Sequence, residues 1–113
     1  MKLWAIADLH LASAINRDAL EALPGHGDDW LILCGDICES ANHLRHCFKT
    51  LKAKFARLIW VPGNHELWSA RPRRERPGGP EKYRNLVELA REMGVVTPED
   101  PYLIWPDSDV VIR

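Results

Sequence analysis

The sequence predicts an α/β fold in which βαβ units build a mostly parallel sheet, and three observations predict it. Three short runs, Leu3–Ala7 (LWAIA), Trp30–Cys34 (WLILC) and Arg57–Val61 (RLIWV), are apolar almost throughout. That is the pattern of strands buried on both faces rather than one. The segments between them change to helical spacing, and the runs stop at Asp8, Gly35 and Pro62-Gly63.

Each element has its own signal. LWAIA is read as a buried strand that ends at Asp8. A short helix follows, with Asp18 and Glu21 in capping-box spacing ahead of ALEAL. The stretch PGHGDD is a turn, and WLILC after it is the second strand, broken by Gly35-Asp36. From Ser40 to Phe55, Leu44, Cys47, Phe48, Leu51 and Phe55 recur at helical spacing with basic residues between them. RLIWV is the third strand, ended by Pro62-Gly63. The Arg-, Pro- and Gly-rich RPRRERPGGP reads as a loop. Pro80 stands where the next helix begins, and its stripe of Leu86, Val87, Leu89, Ala90 and Met93 closes at Gly94. YLIW and VVIR are further strand segments around PDSD.

The bulk figures narrow the class. With 113 residues the chain makes one compact domain at most. An apolar share of 46%, a charged share of 27% and a net charge of -1 exclude a globally basic surface for nucleic acid or membrane. Three cysteines, an odd number, favour reduced thiols and a cytoplasmic setting over a disulfide framework. The apolar stretch at the start is too short for a signal peptide, and no stretch reaches the length of a membrane span.

The chemistry lies at the strand ends. After the first strand come Asp8 and His10, after the second Asp36, and after the third Asn64, His65 and Glu66. Strand carboxyl ends share one edge of a parallel sheet, where ligand sites form. Alternation at the strand end is expected to put Asp8 and His10 on the same side, and Gly35 and Gly63 to free the residues that follow them. Carboxylate, imidazole and amide donors suit hard-to-borderline divalent ions, and Asp36 suits a bridge between two ions about 3.5–4 Å apart.

DLH, GD and GNHE, in this order and with roughly 26–28 residues between them as βαβ units require, resemble the calcineurin-like metallophosphoesterases. The resemblance covers residues 8 to 66. It implies the N-terminal half of a four-layer αββα sandwich and a centre of two divalent metals of the Mn, Fe, Zn or Ni class. Asp8 and His10 would bind the first metal, Asp36 would bridge, and Asn64 would bind the second. His65 would contact the phosphate and protonate the leaving alkoxide while a metal-activated water attacks phosphorus. Glu66 would orient a neighbouring histidine. The implied activity is hydrolysis of phosphomonoesters or phosphodiesters, with manganese among the metals expected.

The family pattern also carries a lone histidine and a Gly-His-x-His farther on, whereas no histidine follows His65 here. Residues 1–113 are therefore expected to be the N-terminal part of such a domain, with weak metal binding and little activity alone. Two other readings stay open. One is a nuclease or cyclic-nucleotide phosphodiesterase, with Arg71, Arg73, Arg74 and Arg76 attracting a nucleotide or nucleic acid. The other is a non-catalytic scaffold that self-associates through an uncovered sheet. For each site residue the bland alternative is an ordinary polar turn, which Asp and Asn tolerate.

Overall fold

The computed structural model describes residues 1–38, 40–63 and 79–112. The elements run β1 (Leu3–Ile6), α1 (Ala14–Ala22), β2 (Trp30–Cys34), α2 (Ala41–Lys52), β3 (Arg57–Val61), α3 (Gly79–Glu92), β4 (Leu103–Ile104) and β5 (Val111–Ile112). β1, β2 and β3 form a parallel sheet in that spatial order. Beyond β3, Val96 adds a parallel bridge to Ile59. The α/β reading and its parallel sheet hold.

Register decides what each face carries. Trp4, Leu31 and Leu58 share one row, and Ile6, Leu33 and Trp60 the next on the same face. This face meets the helices. Leu33, Leu44, Cys47, Phe48, Leu51, Leu58 and Trp60 are fully buried there, joined by Leu86, Val87 and Ala90 of α3. The helical stripes expected from Leu44 and from Leu86 are therefore core. Gly94 ends the last of them with a positive φ of 73°, the left-handed turn that favours glycine after a helix.

Among the described residues, helices cover one face of the sheet and not both. Strands added in one direction through right-handed crossovers send their connecting helices to the same side. The opposite face is covered in part by the segment after Val96, where Trp105 packs edge-on against Trp30 with ring centroids 5.1 Å apart. β4 and β5 pair antiparallel as a separate hairpin. Leu3 and Val61 stay exposed on this face. β1 departs from the buried strand expected of LWAIA: all four residues are exposed, because among the described residues β1 is the sheet edge, paired with β2 alone. The first helix also starts earlier than its capping-box spacing suggested. Ser13 is the N-cap, and Asp18 lies inside the helix.

Asp29 tethers the β1 edge. Its carboxylate accepts the Lys2 backbone N–H at 2.7 Å and the Trp4 indole N–H at 2.9 Å, and His26 Nδ1 stands 3.4 Å away. The Trp4 bond is the main cause that holds Asp29 below the usual carboxylate range, against the opposing effect of burial. A carboxyl with a depressed folded pKa contributes stability above its unfolded pKa and loses it as pH falls through the folded value. Acidification below the ordinary carboxylate range should therefore loosen β1 first. Amide exchange at Leu3–Ile6 measured against pH should show this, and Asp29→Asn should flatten that dependence.

Candidate functional site

Three loops leave the carboxyl ends of β1, β2 and β3 along one edge of the sheet. The first two run side by side. Asp8 N–H donates to Gly35 O at 3.2 Å, His10 N–H to Asp36 O at 3.3 Å, and Leu11 N–H to Ile37 O at 2.8 Å. Leu11 and Ile37 are fully buried and anchor the pair of loops in the core directly after the polar residues. The signal for these anchors was in the sequence, as an apolar residue following each motif in DLHL and GDI.

Asp8, His10 and Asp36 all take left-handed backbone conformations, with φ of 57°, 46° and 52°. Such a conformation costs about 1–2 kcal/mol for a residue with a β-carbon, least for Asp and Asn. Apart from Asp107 in the β4–β5 turn, these are the positive-φ residues other than glycine among those described. Strain gathered at the very side chains that carry the chemistry points to a functional site. It also corrects the expected geometry. Asp8 and His10 lie past the end of β1, and two left-handed residues, not strand alternation, bring them together.

His10 Nε2 stands 3.8 Å from Asp8 Oδ1, with side chains 48% and 65% exposed. Two residues missed in the sequence fix this loop from the first turns of α1. Asn16 Nδ2 donates to His10 O at 3.2 Å, and Arg17 Nη1 donates to Leu11 O at 2.7 Å and Ala12 O at 3.0 Å. Nothing local in the sequence marks them, since the bonds depend on how α1 folds back over its own entry loop.

A carboxylate oxygen and an imidazole nitrogen at this separation, open to solvent, suit a divalent cation as its first two protein donors. Asp36 is brought to the same edge through the His10 bond. Among the described residues no three of His, Cys, Asp and Glu converge as a metal-holding group. Asn64, His65 and Glu66 lie outside the described residues, as do the arginines at 71, 73, 74 and 76. Cys34 is exposed, whereas Cys38 and Cys47 are buried. Among the described residues no helix is long and apolar enough to cross a membrane.

Strand–helix repetition with Asp-x-His, Gly-Asp and Asn-His at successive strand ends defines a class. The chain belongs to the calcineurin-like phosphoesterase family, whose model matches residues 1–110. Over 106 residues it is 44% identical to the acyl-carrier-protein phosphodiesterase PptH of Mycobacterium tuberculosis (strain ATCC 25618 / H37Rv), a match covering 93% of this chain and 33% of that protein. It is also similar to the crystal structure of the phosphopantetheinyl hydrolase PptH from Mycobacterium tuberculosis, with a TM-score of 0.83 and 44% identity. That match covers 92% of this chain and 37% of the other. The chain thus spans about a third of the length of these relatives.

Proposed function

We propose that this chain forms the N-terminal part of a metal-dependent phosphodiesterase that acts on a phosphopantetheinyl group carried by an acyl carrier protein. The observation that carries the reading is the left-handed backbone shared by Asp8, His10 and Asp36 in a chain that the phosphoesterase family model matches over residues 1–110. The substrate class comes from the names of relatives 44% identical to it.

Asp8 and His10 would hold one divalent cation, Asp36 would bridge, and Asn64 would bind the second. When bound, two such ions supply Lewis acidity: they acidify water and neutralise charge on the phosphoryl oxygens. The remaining work belongs to the side chains. His65 contacts the phosphate and donates its ring proton to the departing alkoxide oxygen, as an imidazole titrating near neutrality can. Glu66 would hold a neighbouring imidazole in orientation. Asn16 and Arg17 keep the Asp8–His10 loop in place through its carbonyls, so that the donor pair meets its ion without reorganising.

On this reading residues 1–113 alone, which span about a third of the relatives' length, hold only part of this centre and act weakly. Manganese is the first metal to try, and the odd cysteine count supports a reducing, cytoplasmic setting. The test is hydrolysis of phosphopantetheinyl acyl carrier protein by the full-length protein, beside bis(4-nitrophenyl) phosphate as a generic phosphodiester. Release of the phosphopantetheinyl group that stops with chelator and returns with Mn2+ is the expected result. Cleavage of the generic ester alone would overturn the substrate, and hydrolysis indifferent to chelator would overturn the mechanism.

A further inference from the structure

The turn after β3 meets the turn after β2 with no room for a side chain between them. A β-carbon built on Gly35 would stand 2.9 Å from both Cα and N of Gly63, and 3.4 Å from the carbonyl carbon of Pro62. A β-carbon built on Gly63 would overlap Asp36 Oδ1 and stand 2.6 Å from Asp36 N and 2.9 Å from Asp36 Cγ. Gly35 itself has a φ of 83°, a conformation that glycine takes without steric cost. The expectation that glycine at 63 serves the residue after it thus misses its main neighbour. The space over its Cα is where the carboxylate of Asp36, from another strand end, stands.

Asp36 is tied on its other side as well, because its carbonyl accepts the His10 N–H. The path therefore runs from the β3 turn at Gly63, through Asp36, to the donor pair after β1. We infer that Gly63 is a positioning residue for the Asp36 carboxylate. It offers no side-chain donor of its own. It acts by leaving empty the volume into which that carboxylate folds, which sets where the carboxylate stands relative to Asp8 and His10. The geometry is independent of any metal, and only its consequence for binding rests on the function proposed above.

Gly63→Ala tests this in the full-length protein, with Gly35→Ala as the control that presses on backbone and not on the carboxylate. In amide NMR spectra of the metal-free protein, Gly63→Ala should move the resonances of Asp36, Ile37 and His10. The Kd for Mn2+ should rise tenfold or more in protein that remains folded. Gly35→Ala should lower the melting temperature with a smaller effect on the Kd of its folded fraction. If the resonances move but the wild type binds no Mn2+, the positioning role stands and the metal reading fails. Unmoved Asp36 and His10 resonances together with unchanged Mn2+ affinity would overturn the inference. If Gly63→Ala unfolds, Asp36→Gly in that background should recover more thermal stability than Asp36→Gly adds alone. No such recovery would also overturn it.

Discussion

Asp36→Asn should lower phosphodiester hydrolysis by the full-length protein at least ~100-fold, the upper end of what losing even an outer partner of a metal ligand costs. Asparagine has the same shape but no charge, so the proposed bridge between two cations loses the anion that holds them together. Stability should move the other way or not at all. Asp36 sits at a φ of 52°, and Asn tolerates that region at least as well as Asp. Its carbonyl would still accept the His10 N–H, as it does now. The unfolding free energy should therefore stay within about 1 kcal/mol of the wild-type value while kcat collapses. Equal losses of both would reassign Asp36 to the framework.

The largest effect on stability should come from Trp60→Ala. Trp60, on β3, is fully buried on the helix-facing side of the sheet, and its ring meets Phe48 edge-on at 6.2 Å between centroids. Truncating a buried aromatic of this size to alanine costs about 3–5 kcal/mol, against a total of about 5–15 kcal/mol for a domain. A loss of that size should lower the melting temperature by more than about 12 °C, measured by circular dichroism. Trp60→Phe offers a sharper contrast. Among the described residues the buried Trp60 indole N–H meets no acceptor, and an unmet buried donor costs about 1–3 kcal/mol. Phenylalanine discards that donor along with some volume, so the two changes oppose each other and most of the stability should survive. A Phe variant as damaged as the Ala variant would show that volume alone decides the site.

These two positions also show what a sequence can disclose. Trp60 and Phe48 were legible as core because a continuous apolar run and a 3.6-residue stripe are local patterns, and Gly94 marked its helix end for the same reason. LWAIA was read as a buried strand because its composition is that of one. Its place at the sheet edge is decided by the order of three strands, which no five-residue window contains. At the site, the residue types at 8, 10 and 36 were plain, and so was their order at successive strand ends. Their left-handed backbones were not, since the loops are held by bonds from Asp8, His10 and Leu11 to partners between 26 and 27 residues away, at Gly35, Asp36 and Ile37. The grip of Asn16 and Arg17 on the loop carbonyls was hidden in the same way.

The central claim is that the β1 and β2 strand ends bind divalent metal. Calorimetric titration of Mn2+ into the metal-free protein, with Asp8→Asn and His10→Gln in parallel, tests it most directly. Saturable binding by the wild type, weakened about tenfold or more by either substitution at an unchanged melting temperature, is the predicted result. A wild type that takes up no divalent ion, or variants that bind it as tightly, would contradict the account.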